Sequence, residues 1–87
     1  MRTKVYVEVL TRFSPEGEIR PVEIRWTDGI RYEITRILAV EPRASLRVGG
    51  AGIRYTCVIH GKQTYLFLEE NRWFVEAKTS APLPNPA

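Results

Sequence analysis

The stretch IRYTCVIHGKQTYLFLEENRWFVEAK, residues 53–78, decides the fold, because apolar side chains recur at every second position along much of it. The stretch is rich in β-branched and aromatic residues, which favour strands. Gly61-Lys62 and Glu70-Asn71 fit two-residue turns between the alternating runs. We therefore predict a three-stranded antiparallel meander.

The two turns predict which residues lie opposite each other. With glycine in first position, Gly61-Lys62 indicates a type II′ turn, which pairs Cys57 with Leu66. The second turn pairs Leu68 with Trp73. All of these side chains then share one face of the meander, and we expect that face to form the core.

The other face of the meander is also largely apolar. It carries Val58, Tyr65, Phe67 and Phe74 beside Arg54, Thr56 and His60. A sheet face in contact with water is normally polar, so we expect something to cover this one. The first strand, with Val5, Val7 and Val9 on one side, is the internal candidate, and a partner chain or a ligand is the other.

The whole chain predicts an all-β fold, because the same alternation extends outside the meander and no segment shows helical periodicity. We expect six strands, running from Thr3 to Phe13, Ile19 to Trp26, Ile30 to Val40, Ile53 to His60, Gln63 to Glu69 and Arg72 to Lys78. Closure of the sheet protects its edges, which favours a strongly twisted antiparallel sheet or an SH3-like barrel.

The loop between the second and third predicted strands has a length that can be read from the sequence. A two-residue loop at Asp28-Gly29 would set apolar against charged side chains, whereas a three-residue loop starting at Thr27 pairs Ile24 with Tyr32. The longer loop also sets like charges opposite each other on the outer face, Arg25 with Arg31 and Glu23 with Glu33. We expect diagonal ion pairs such as Arg25 with Glu33 to compensate, the alternative being an external anion.

Length and composition favour one domain over residues 1–78, since 87 residues allow a single modest core. Residues 79–87 contain three prolines and no periodicity, which predicts a disordered tail. No run of about 18 apolar residues predicts a membrane span, and the N-terminus lacks the apolar segment of a signal peptide. The single cysteine, Cys57, favours a reducing compartment, so we expect a cytoplasmic protein.

Basic residues concentrate in one segment of a chain whose net charge is +3. Between Pro42 and Leu68 the sequence has four basic and no acidic residues, which is compatible with a phosphate-binding surface. The glycine-rich residues 49–52 lie in this segment but match no phosphate-binding motif. We favour a flexible connection there, with anion binding as the alternative.

Catalytic and metal-binding patterns are not found in the sequence. Cys57 and His60 are three residues apart on one predicted strand, so they point to opposite faces and form neither a nucleophile–base pair nor a zinc site. We expect no catalytic residue, no metal site and no cofactor, and we predict that the protein is not an enzyme.

The succession VEIRW, DG, RYEI, GGAGIRYTC, YLF and RWFVE, between Pro21 and Val75, resembles small bacterial β-barrel domains of unknown function. The resemblance implies a small barrel fold. It assigns no catalytic or binding residue.

Two functions are compatible with these features. The first is an accessory module that binds DNA or RNA, with single strands favoured, through the basic segment and the aromatic face. The residues that we predict for this contact are Arg43, Arg47, Arg54, His60, Lys62, Tyr65, Phe67 and Phe74. The alternative is a protein-interaction or homodimerisation module that uses the face formed by Val58, Tyr65, Phe67 and Phe74. No membrane partner is expected.

Overall fold

The computed structural model describes residues 3–44 and 51–77, and confirms the all-β prediction with seven antiparallel strands in one sheet. The strands are β1 (Thr3–Phe13), β2 (Ile19–Arg25), β3 (Arg31–Glu33), β4 (Arg36–Ala44), β5 (Ala51–Ile59), β6 (Lys62–Glu69) and β7 (Arg72–Ala77). No helix long and apolar enough to cross a membrane occurs among these residues. The side chains at positions 43, 44 and 51 lie outside the described part, as do the basic residue Arg47 and the predicted tail.

The sheet is curled into a half-barrel, with the strand order β3-β2-β1-β7-β6-β5-β4. The first strand belongs to both halves of it. Residues 3–7 of β1 pair with β7, and residues 8–13 pair with β2. Because one long, twisted strand serves two sets of neighbours, the sheet bends around it and acquires an inner and an outer face.

The third predicted strand, from Ile30 to Val40, is in fact two strands, β3 and β4. The Ile34 N–H donates to the Val22 carbonyl of β2, and the next N–H, of Thr35, donates to the Val58 carbonyl of β5, each at 2.9 Å. The chain thus changes hydrogen-bonding partner between consecutive residues. Ile34 and Ile37, three residues apart, both pack against the core, so the alternation that predicted a single strand is interrupted at this change.

The three-residue loop between β2 and β3 is confirmed. Ile24 lies opposite Tyr32, and Gly29 has a φ of 88°, a left-handed conformation that glycine adopts without strain. The Asp28 side chain accepts a hydrogen bond from the Ile30 N–H at 2.9 Å, as aspartate commonly does in turns. However, Ile30 is half exposed and not part of the core.

The predicted register between β5 and β6 is wrong by two residues. The turn is His60-Gly61, not Gly61-Lys62, and both of its residues have positive φ, which makes it a type I′ turn. Cys57 consequently lies opposite Thr64. A shift of two leaves every side chain on its original face, so the apolar alternation fits both registers equally well.

The turn between β6 and β7 agrees with the prediction. Glu70 and Asn71 both have positive φ, and Leu68 lies opposite Trp73. The meander predicted from residues 53–78 is therefore confirmed in its strands and its faces.

The core fills the inner face of the half-barrel. Its buried members are Ile24, Trp26, Tyr32, Tyr55, Cys57, Ile59, Leu66 and Val75, with Val5, Val7 and Val9 packed against them. The Tyr55 hydroxyl donates a 2.8 Å hydrogen bond to the Ile19 carbonyl and so links β5 to β2 across the interior. The face of the meander that we predicted to form the core thus lines one side of it.

Candidate functional site

One row of side chains crosses the outer face of the sheet over five strands. Tyr6 of β1, Phe74 of β7, Phe67 of β6, Arg54 of β5 and Glu41 of β4 are successive cross-strand partners. Direct cross-strand neighbours on one face lie close enough for their side chains to contact. The row therefore places aromatic rings, a cation and an acid side by side.

The rings in this row form a stack that the protein itself covers. Phe67 and Phe74 lie parallel, with an interplanar angle of 6° and centroids 5.0 Å apart, and Tyr6 meets Phe74 edge-on at 5.7 Å. Phe67 is 5% and Phe74 is 2% exposed, whereas Tyr6 is 43% exposed. The two phenylalanines thus form a small second core beneath the outer surface.

Cationic side chains lie over the aromatic rings on this face. The Arg72 guanidinium is 3.6 Å from the Tyr6 ring centroid, and the Arg54 guanidinium is 4.6 Å from that of Tyr65. Lys4 Nζ lies 4.7 Å from the centroid of Phe74. Such contacts are attractive because the ring face carries negative charge. We call the set Lys4, Tyr6, Arg54, Tyr65, Phe67, Arg72 and Phe74 the outer-face platform.

Acidic side chains balance much of the charge of the platform. Both carboxylate oxygens of Glu41 accept hydrogen bonds from Arg54 Nη2, at 3.1 and 3.2 Å, and Glu69 lies 3.6 Å from Lys4 Nζ. Arg54 Nε is buried and donates no hydrogen bond to any residue that the structure describes. The platform therefore exposes two tyrosine rings and partly paired cations, and it is not strongly positive by itself.

A groove with a volume of about 660 Å³ runs beside the platform, between β1, β2 and the β6–β7 turn. Tyr6 and Arg72 line it together with Arg25 and Arg31. Arg25 pairs with Glu8 at 3.6 Å, so the expected diagonal pair with Glu33 is replaced by a neighbour on β1. The groove extends the platform toward β2 and β3.

The structure brings together half of the residues that we predicted for nucleic-acid contact. Arg54, Tyr65, Phe67 and Phe74 are all in the platform, but the two phenylalanines are buried, and of these three rings it is Tyr65 that offers exposed surface, at 38%. An arginine guanidinium lies over each of the two exposed platform rings, Tyr6 and Tyr65.

The remaining predicted residues lie away from the platform or outside the described part. His60 and Lys62 are exposed at the β5–β6 turn, where the His60 ring meets Tyr32 edge-on at 5.6 Å. Arg43 is in β4, opposite Gly52, with its side chain outside the described part, and Arg47 lies outside the described residues.

The first strand does not cover the second apolar face in the way that we expected. β1 lies beside β7 in the same sheet, so Val5, Val7 and Val9 point into the inner core. The opposite side of β1 supplies Lys4 and Tyr6, which contact Phe74 from above. The sequence prediction missed both residues, although the alternation of β1 places them on the face away from its valines.

The interior thiol is shielded from reaction. Cys57 is fully buried, and burial raises the pKa of its thiol to about 11. Burial, together with the neighbouring Cys57 and Glu18, also raises the pKa of Tyr55. Among residues 3–44 and 51–77, no group of three or more histidine, cysteine or acidic side chains is arranged to hold a metal ion.

In comparisons with known proteins, the chain matches no protein-family model, no curated protein and no solved structure, so the resemblance to small bacterial barrel domains stays a prediction.

Proposed function

We propose that this protein is a non-catalytic module that binds single-stranded nucleic acid across the outer-face platform. The observation that carries the proposal is the pair of exposed tyrosines, Tyr6 and Tyr65, each lying against an arginine guanidinium on either side of a buried phenylalanine stack. Bases stack on aromatic rings and on guanidinium planes, and they do so with little regard to sequence.

Geometry favours single strands over a duplex. The platform lies on the outer side of the curled sheet, where Tyr6 and Tyr65 are exposed, and bases must be unpaired to present their faces to these rings. Contact with backbone phosphates requires cations beyond those that Glu41 and Glu69 neutralise. The net charge of +3 supplies an overall attraction to a polyanion.

The alternative, a module that buries Val58, Tyr65, Phe67 and Phe74 against another chain, has less support. Phe67 and Phe74 are already covered within the chain, and Val58 is half buried, so little apolar surface remains for a partner. An SH3-like topology, a cytoplasmic location and the lack of enzymatic activity remain parts of the proposal.

The direct test is fluorescence anisotropy with a short single-stranded oligonucleotide, as DNA and as RNA, and with the matched duplex. We expect the single strand to bind more tightly than the duplex. Tyr65→Leu keeps an apolar side chain but removes the flat ring, and should weaken binding by about 1–3 kcal/mol, the usual contribution of one stacked base.

Val40→Ala is the matched control, because Val40 is an exposed apolar side chain of β4 whose cross-strand partner is the core residue Tyr55, on the face away from the platform. Its affinity should equal that of the unmodified protein. Absence of binding at low salt, or an equal loss of affinity in both variants, would reject the proposal.

A further inference from the structure

A second cationic surface lies where β1 and β2 meet the junction of β3 and β4. Arg12, Arg20 and Arg36 line a groove there with a volume of about 210 Å³, and no acidic residue among those described lines it. Thr35 supplies a hydroxyl, and the remaining described walls are apolar. We call this the arginine groove.

Two of these arginines are held against each other by the sheet. Arg12 and Arg20 are direct cross-strand partners in β1 and β2, an arrangement in which like charges destabilise a sheet. Within residues 3–44 and 51–77, none of the three groove arginines forms an ion pair. The repulsion is therefore not relieved by a described residue.

The contrast with the other cations of the sheet is informative. Arg25 faces Arg31 across the strands in the same way, but Glu8 lies 3.6 Å from it. Glu18 and Glu23 are the acids closest to Arg20 along the chain, and neither lines the groove. Three positive charges thus converge on a concave surface to which the described residues bring no counter-charge.

The chemistry of the groove fits a phosphate group. A guanidinium presents its N–H donors as a planar fork that matches two phosphate oxygens, and arginine is preferred where such recognition matters. The volume is smaller than the roughly 300–1,000 Å³ of pockets that enclose a small molecule. The groove is therefore large enough for one anionic group of a longer chain, but not for a whole nucleotide.

The groove is connected to the platform through the neighbouring strands β5 and β6. Arg36 is the cross-strand partner of Val58, which is the partner of Gln63, and the Gln63 amide lies 3.5 Å from the Tyr65 hydroxyl. We propose that the arginine groove is a phosphate-binding site that holds a backbone phosphate of the strand whose bases stack on the platform. This inference rests on the proposed function for the identity of the ligand.

The test compares two triple variants that remove the same charge. Arg12→Gln, Arg20→Gln and Arg36→Gln together empty the groove of cations, while Thr3→Glu, Val40→Glu and Lys62→Gln together lower the net charge equally at exposed positions outside the platform and both grooves. We expect the groove variant to bind the single-stranded oligonucleotide at least about tenfold more weakly than the control variant. The salt dependence of its affinity should also fall. The slope of the logarithm of the binding constant against the logarithm of the salt concentration should decrease in magnitude by about 0.7 for each phosphate that the groove no longer binds.

Inorganic pyrophosphate separates the groove from the proposed function. In the unmodified protein it should shift the side-chain Nε–H NMR signals of Arg12, Arg20 and Arg36 while leaving that of Arg31 in place. If the oligonucleotide does not bind but pyrophosphate shifts these signals, the proposed function is wrong and the phosphate site stands. If both triple variants bind the oligonucleotide equally and pyrophosphate shifts no groove signal, the site is rejected and the proposed function survives.

Discussion

The outer-face platform and the arginine groove are both cationic regions of one sheet, but they differ in what surrounds their cations. In the platform every cation lies over a ring, and Lys4 and Arg54 also have acidic partners. In the groove three arginines converge, and no described acid lies along its walls. The platform pairs two of its three cations with acids and covers buried rings, whereas the groove arginines form no ion pair with a described residue.

This difference indicates that the platform stabilises the fold, whereas the groove costs stability. Cation–ring contacts and stacked rings stabilise a sheet by about 0.5–1.5 kcal/mol each. Like charges opposite each other have the reverse effect. Variants in the two regions should therefore change stability in opposite directions.

The largest effect is expected for Phe74→Ala. Phe74 is 2% exposed and lies in contact with Phe67, Tyr6 and Lys4, so truncation leaves a cavity. We expect the free energy of unfolding to fall by about 3–5 kcal/mol. Urea denaturation monitored by circular dichroism measures it.

Phe13→Ala is the control for this change, because Phe13 is 66% exposed. Its stability should stay within about 0.5 kcal/mol of the unmodified protein. A similarly small loss for Phe74→Ala would contradict a structural role for the platform. Should that variant not fold, Phe74→Leu keeps most of the apolar volume and is expected to cost less than about 1.5 kcal/mol.

Alkaline pH is expected to lower the free energy of unfolding by a smaller amount. The group responsible is the thiol of Cys57, on the inner face of the sheet. Burial raises the pKa of Cys57 from 9.0 to about 11, so the folded state keeps a proton that the unfolded chain has begun to release. Its contribution to stability is complete below pH 9 and is lost as the pH rises to about 11. Urea denaturation across this range measures the loss, to which Tyr55, whose pKa is raised as well, adds in the same direction.

Two controls assign the alkaline effect to the interior. Cys57→Ala should lose less stability over this range, since it lacks the titrating thiol. The groove variant with three glutamines should keep the profile of the unmodified protein, because arginine stays protonated throughout. A pH profile unchanged by Cys57→Ala would show that the thiol has no part in it.

The smallest effect, and the one of opposite sign, is expected for Arg20→Glu. It replaces a like-charge pair with an opposite-charge pair across β1 and β2, and should stabilise the protein by about 0.5 kcal/mol at low salt. Added salt should reduce this gain by screening. The same variant should bind the oligonucleotide more weakly if the groove contacts phosphate.

Arg25→Glu is the matched control, because Arg25 also faces an arginine but already pairs with Glu8. It should give no gain in urea denaturation. If Arg20→Glu also fails to stabilise the protein, the groove arginines do not repel each other appreciably. The groove then does not cost stability, and its contrast with the platform is lost.

Except at the register shifts of β1 and β4 and at the exposed Ile30, the sequence alone specifies which side of each strand faces the core, because its period-two alternation sets the face of each side chain. It also determined two of the turns, through Asp28-Gly29 and Glu70-Asn71, whose loop lengths keep apolar residues on one face. It left the β5–β6 register open, since a shift of two residues changes no face.

Which strands are neighbours, and hence which side chains meet on the outer face, follows from the fold and not from the alternation. Lys4 and Tyr6 reach Phe74 because β1 joins β7, and Arg12, Arg20 and Arg36 converge because β1, β2 and the β3–β4 junction meet. The groups that meet in this way come from distant positions in the chain, and the order and curl of the sheet bring them together. Alternation is a local property and carries no information about that order, so both candidate sites were complete only in the folded protein.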